Sequence, residues 1–236
     1  MTDYESNLKV VQHRINEAAG RRGRDPGAVS VVAISKTQPA QAVREVYALG
    51  LRDFGENRVF EGLEKQPELQ DLGDLRWHMV GHIQSRKASE IPAHFHIVHS
   101  LDRLKIARRL NKHAGEQEKK LPVLLECNVS GEASKYGWEL SDQQAWQPAA
   151  GQFRSILEME HVEIRGLMTM APWVEDEKII RDTFIKLRNL RDFMQESLGV
   201  SWPELSMGMT DDYEIAVEEG ATMLRIGRAI FGERRA

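Results

Sequence analysis

The run VVAISKTQP, residues 31–39, places a primary amine where a buried strand would end. Strand alternation puts Val32, Ile34 and Lys36 on one face, so the amine points the same way as two core-type side chains. An unpaired ammonium is costly to bury, so a lysine so placed loses its proton, meets an anion or snorkels into solvent. In the first case it becomes a nucleophile toward carbonyl carbon. Two stretches far along the chain suit a phosphate. LSMGMTDDYEIAVEEG (205–220) and LRIGRAIFG (224–232) each run from a strand-like segment into a glycine, where main-chain N–H groups can approach a dianion, and Ser206 and Thr210 offer hydroxyl donors. Arg225 shares a strand face with Gly227, aimed either at the same region or at a carboxylate partner. Asn57, in GENR, is placed to hydrogen-bond a ligand or to cap the next helix.

These residues need a scaffold that brings sequence-distant strand ends together. Residues 3–19 read as an amphipathic helix with Leu8, Val11, Ile15 and Ala18 or Ala19 on one stripe and a stop at Gly20. Eight strand-like runs follow, at 29–35, 51–55, 76–81, 96–100, 122–129, 161–168, 204–208 and 222–227. Helix-like segments lie between them, including 40–50, 100–114, 176–197 and 211–220, with Ser100 and Asp211 as caps near two starts. Alternating β and α elements imply a parallel sheet, and eight repeats can close into a (β/α)8 TIM barrel, here with an extra N-terminal helix. No linker or low-complexity stretch divides residues 1–236, so one domain is expected. In such barrels the ligand-facing rim is the C-terminal end of the strands, and the loops after the seventh and eighth strands often hold phosphate.

Composition excludes several classes. With 236 residues, 41% hydrophobic and 29% charged, the chain is of ordinary globular make-up, and a net charge of -4 gives no reason to expect nucleic acid. The basic RRGR (21–24) reads as a solvated loop. A lone Cys127 in an apolar run rules out an internal disulfide and reads as a buried thiol, as a reducing compartment permits. No run approaches the roughly 20 apolar residues of a membrane span, and the N-terminus lacks the pattern of a secretory signal, so a cytoplasmic protein is expected. His94 and His96 share a strand face without a carboxylate or cysteine cluster, and no metal site is expected. His78 and His82 lack ligand spacing and read as core or surface residues, and neither standard glycine-rich nucleotide loop is present.

A neutral lysine, a phosphate cradle and an arginine together suit pyridoxal phosphate, which carries an aldehyde, a phosphate and a ring nitrogen. An aldolase-type barrel, with the lysine attacking a sugar phosphate, would use the same parts. The segments VAISKTQP, DFGENRV, WHMVGHIQSRK, EIRGLMTM and LSMGMTDDYEIAVEEGATMLRIGRAIFG closely resemble the YggS/PROSC family of pyridoxal phosphate homeostasis proteins over essentially the whole chain. The resemblance implies the alanine-racemase N-terminal-domain barrel (fold type III among pyridoxal phosphate proteins) and an aldimine on Lys36. It also implies cofactor contacts from Asn57, Ser206, Thr210, Arg225, Ile226 and Gly227. Arg86 stands where asparagine is more usual in the family, which leaves the role of the QSRK segment open, and Thr210 replaces a serine while keeping the hydroxyl.

Similarity to a racemase barrel does not make a racemase. A guanidinium can only donate, so Arg225 facing the ring nitrogen would hold it unprotonated and weaken the electron sink on which most pyridoxal enzymes rely. Racemases of this fold add a second β-domain and a partner-subunit tyrosine, and this chain runs only nine residues beyond Gly227. Three hydrogen bonds to phosphate, at about 1.5 to 3 kcal/mol each, give a gross ~5 to 9 kcal/mol, enough for millimolar to micromolar holding before any covalent bond. The expectation is a non-catalytic, monomeric carrier that buffers pyridoxal phosphate and hands it to apoenzymes. The alternative is a small pyridoxal-dependent amino-acid racemase or related enzyme.

Overall fold

Nine strands form one parallel sheet in the computed structural model, which describes residues 2–233. They are β1 (Ser30–Ile34), β2 (Asp53–Glu56), β3 (Arg76–Met79), β4 (Ile97–Leu101), β5 (Leu121–Asn128), β6 (Trp138–Glu139), β7 (Val162–Met168), β8 (Glu204–Ser206) and β9 (Met223–Ile226). The order is β4-β3-β2-β1-β9-β8-β7-β5, and pairing of β4 with β5 closes the ring. All eight sequence-predicted strands are present. The unpredicted β6 is two residues long and pairs with Cys127 and Asn128, beyond the point where β5 last pairs with β4 at Leu125.

The helices are α1 (Tyr4–Arg21), α2 (Ala40–Ala48), α3 (Val59–Lys65), α4 (Ile91–His94), α5 (Leu104–Gly115), α6 (Trp146–Leu157), α7 (Glu177–Leu198), α8 (Tyr213–Glu218) and α9 (Arg228–Phe231). Each strand sends alternate side chains outward to the helices and inward to the barrel axis. The outward set, including Ala33, Phe54, Val98, Leu125 and Leu224, belongs to the main core. Inside, Ile97, Leu124 and Met168 form a separate small cluster with Met170 and Met223 against it. Gly55 belongs to the inner layer, where a Cβ would lie 2.6 Å from Ile34 Cδ1. The glycine therefore makes room for the isoleucine beneath Lys36.

Helix α1 begins at Asp3, whose Oδ1 accepts from Ser6 N at 2.9 Å, and it buries Val11, Ile15, Ala18 and Ala19 as its spacing predicts. Fully burying Val11 or Ile15 contributes about 1.5–3 kcal/mol each. The helix packs on α8 and α9, with Asn7 donating to Ile230 O at 2.8 Å and Tyr4 edge-on to Phe231. It runs one residue past Gly20, to Arg21.

The RRGR segment is solvent-exposed at Arg21, Arg22 and Gly23, as expected, but its arginines are also engaged by the neighbouring α8 and its flank. Arg21 pairs with Glu218 at 2.6 Å, Arg22 with Glu219 at 3.2 Å, and Arg24 donates to Val217 O and Ala221 O. Arg181 and Arg188 reach the same buried Glu219, so three arginines surround one carboxylate. Ser100 does not cap α5. It lies in β4, its hydroxyl donating to Gly81 O at 2.6 Å, and α5 starts four residues later. The residue flanking the start of α8 is Asp212, while Asp211 pairs with Arg228. Among the described residues, no helix is long and apolar enough to cross a membrane.

Candidate functional site

At the C-terminal mouth of the barrel lies a cavity of about 700 Å³, lined among others by Lys36, Asn57, Thr210, Arg225 and Gly227. These residues come from the segments after β1, β2 and β8 and from β9 and the turn that follows it. Five of the seven sequence-predicted site residues thus line one space. Lys36 projects from the inner face as predicted, with Ile34 below it also lining the cavity. The turn after it is strained, because Thr37 has φ 64, a left-handed conformation that costs a β-branched residue about 1–3 kcal/mol. Glu61 holds that turn by accepting from Thr37 N at 3.1 Å.

Behind Lys36 is an ion pair that sequence reading did not single out. Lys65 Nζ, on α3, donates at 2.6 Å both to Glu56 Oε1 and to Ser35 O, and Ser35 Oγ donates to the same carboxylate oxygen at 2.7 Å. Burial pushes the Glu56 carboxyl up, against the opposing pull of Lys65. The pair ties the ends of β1 and β2 to α3, fixing the strand end from which Lys36 projects.

The loop after β8 turns at Gly208, with φ 95, where a Cβ would come within 2.6 Å of Ala216 Cβ. The Asp212 carboxylate steadies it by accepting from Met209 N at 2.6 Å. Thr210 follows, its Oγ1 accepting from Ala229 N at 3.3 Å, and Arg228 pairs with Asp211. Hydroxyl and glycine turn from two strands thus stand side by side, as an anion cradle requires.

Arg225 is buried on the inner face. It donates to Ser206 Oγ at 2.6 Å and to Thr169 O at 2.8 Å, while part of it lines the cavity. Burial pulls its pKa down to about 10, against the nearby carboxyls of Asp212 and Glu126, so it stays charged at neutral pH. Ser206 is fully buried, its hydroxyl engaged by Arg225 and His99. Ile226 turns its side chain outward into the main core, which leaves only its main chain toward the mouth. Arg86 lies exposed on the short 3-10 turn Ser85–Lys87, its Nε donating to Gln84 Oε1 at 3.3 Å, and it does not line the cavity.

Sequence reading also missed the rim after β7. Met170 to Glu175 line the cavity, and Trp173 there is 97% exposed. Glu126, on the inner face of β5, is buried, and its Oε2 has no hydrogen-bond partner among the described residues. Burial and the charge of Asp102 raise its pKa to about 7. Burial likewise raises the Cys127 thiol, whose side chain faces the outer core.

A closed parallel barrel with a lysine just after its first strand and an arginine on its last, both facing one cavity, has the architecture of the alanine-racemase barrels. The family model described as "Alanine racemase, N-terminal domain" matches residues 6–235. The chain belongs to the pyridoxal phosphate homeostasis protein family within that class. It is 46% identical to the pyridoxal phosphate homeostasis protein of Pseudomonas aeruginosa, covering 99% of this chain and 97% of that one. It is 41% identical to the one from Aquifex aeolicus, covering 97% of each. Among solved structures, PipY of Synechococcus elongatus with pyridoxal phosphate bound superposes with a TM-score of 0.79 at 38% identity, covering 93% of this chain and 100% of that one. The alanine racemase of Corynebacterium glutamicum, 17% identical with a TM-score of 0.65 over 97% of this chain and 62% of that one, shares the fold.

Proposed function

We propose that this chain binds pyridoxal phosphate in the mouth of its barrel and serves as a carrier that holds and releases the cofactor. The observation that carries the reading is the convergence of Lys36, Thr210, Gly227 and Arg225 on one cavity at the strand C-termini. Pyridoxal phosphate, when bound, supplies an aldehyde that condenses reversibly with a primary amine. Lys36 offers that amine. Thr210 and the main chain at Gly227 would hold the phosphate, Asn57 would contribute a polar side chain to the same cavity, and Arg225 would face the ring nitrogen. A guanidinium that stays charged cannot take up a proton there, which favours holding over turnover. Release follows when another amine competes with Lys36, and that is how apoenzymes would draw the cofactor.

Borohydride reduction of the protein loaded with pyridoxal phosphate, followed by peptide mapping, tests the reading. The expected result is one stable adduct, on the peptide containing Lys36. An adduct elsewhere, or none, would refute it. Racemisation or decarboxylation of amino acids above the rate given by free cofactor would instead establish an enzyme.

A further inference from the structure

A chain of buried hydrogen bonds runs from Arg225 through the barrel interior toward its opposite end. Arg225 donates to Ser206 Oγ at 2.6 Å, Ser206 Oγ lies 2.8 Å from His99 Nδ1, and His99 Nε2 lies 2.9 Å from His78 Nδ1. His78 Nε2 then lies 2.8 Å from Asp53 Oδ1, and the other oxygen of Asp53 accepts from Arg76 at 2.6 Å. Asp53, Arg76 and His78 line a separate cavity of about 450 Å³ at the N-terminal end of the strands. Five side chains from β9, β8, β4, β3 and β2 thus join the cavity that holds Lys36 to the far face of the molecule.

The two ends fix the direction of every bond between them. An ionised carboxylate only accepts, so His78 must carry its proton on Nε2, and in a neutral ring Nδ1 is then the acceptor. His99 must therefore donate from Nε2 and accept at Nδ1. Ser206 must donate its hydroxyl proton to His99, which leaves its lone pairs to Arg225. Burial holds both imidazoles below their ordinary pKa, His99 far below, in keeping with neutral rings. Burial alone would raise Asp53, but hydrogen bonds and charge from His78 and Arg76 outweigh it and leave the carboxyl below its ordinary value. If the direction were reversed, the Ser206 proton would have no acceptor within this chain of groups, and a buried unpaired hydroxyl is unfavourable.

We propose that Asp53 is a positioning residue for Arg225: through His78, His99 and Ser206 it sets the hydrogen-bond direction that keeps the guanidinium oriented toward the place the cofactor's ring nitrogen would take. The proposal rests on the cofactor reading above, but its first test does not. In cofactor-free protein at pH 7, imidazole ¹⁵N shifts should report His78 and His99 as neutral rings protonated on Nε2. Asp53→Asn offers an amide donor to His78 and should move both rings toward the Nδ1–H form, as asparagine does when it replaces the aspartate of a catalytic triad. With pyridoxal phosphate bound, Asp53→Asn should then shift the cofactor's absorbance bands in the same sense as Arg225→Gln.

Wild-type rings protonated on Nδ1 would overturn the relay outright. A changed spectrum in Arg225→Gln with an unchanged one in Asp53→Asn would overturn it while leaving the cofactor reading intact. Unchanged spectra in both would remove Arg225 from the ring nitrogen, and the proposal with it. Should Asp53→Asn fail to fold, Ser206→Ala cuts the chain at its other end. It must alter the spectrum for the proposal to stand.

Discussion

Glu126→Gln converts the buried carboxyl on β5, whose Oε2 has no hydrogen-bond partner among the described residues, into a neutral group of the same size. Burial and Asp102 raise the wild-type pKa from 4.5 to about 7. For an acid with a raised native pKa, the folded state keeps a proton that the unfolded chain has already released. Stability therefore falls as pH rises through this window and levels off above it. Each pH unit costs about 1.4 kcal/mol, so the full window costs about 3 kcal/mol. Glutamine has no such titration. It places an unpaired amide in the same space at a cost of about 1–3 kcal/mol that does not vary with pH. Urea unfolding of cofactor-free wild type and variant, followed by tryptophan fluorescence at half-unit steps from pH 4.5 to 8, isolates the effect because other titrating groups cancel in the difference. The variant's relative stability should rise by about 3 kcal/mol across the series and then flatten. Parallel curves would mean that Glu126 is already ionised at pH 5 and that its burial has been misjudged.

Other outcomes follow from the same geometry. Lys65→Met strands Glu56 in the core and should cost about 3–5 kcal/mol, more at pH 8 than at pH 5, with Glu56→Gln in the same chain recovering most of it; thermal melts of the three variants check this. Gly208→Ala puts a side chain at φ 95 and within 2.6 Å of Ala216 Cβ. It should destabilise by more than about 1 kcal/mol and weaken pyridoxal phosphate binding in a fluorescence titration, since Thr210 rides on that loop. Lys36→Ala should abolish the borohydride-trapped adduct yet leave weaker binding that inorganic phosphate displaces. Complete loss of affinity would show that the cradle contributes little by itself.

The alternation of Val32, Ile34 and Lys36 was enough to aim the amine, because a barrel strand has only two faces and a sequence period of two reports them directly. The eight strands were legible for the same reason, and the loops after β8 and β9 by their glycines. Side-chain partners were not. Ser100 falls at the end of a predicted strand and also looks like a helix cap; that its hydroxyl goes instead to Gly81 O, in the segment after β3, is something no local spacing reveals. His78, His99 and Asp53 come from three strands, and no local spacing links them. Their one sequence signal is that each occupies an inward position of its own strand, which becomes visible only once the barrel register is known. The RRGR segment is exposed as its charge suggests, but its partners were not legible, because charge near a helix end says nothing of the acidic α8 that the closing barrel brings beside it.

The seam between β1 and β9 has a consequence for how the molecule matures. Lys36 stands on one side of that seam and Arg225 and Gly227 on the other, with nearly the whole barrel between them in sequence. With the cofactor held as proposed, a nascent chain has no vitamin pocket until the ring has shut, so a half-made polypeptide would not capture the aldehyde through this grip. Once the ring is shut, every molecule so bound would be a rivet across the join. It adds resistance to reopening that grows with the logarithm of its concentration over its dissociation constant.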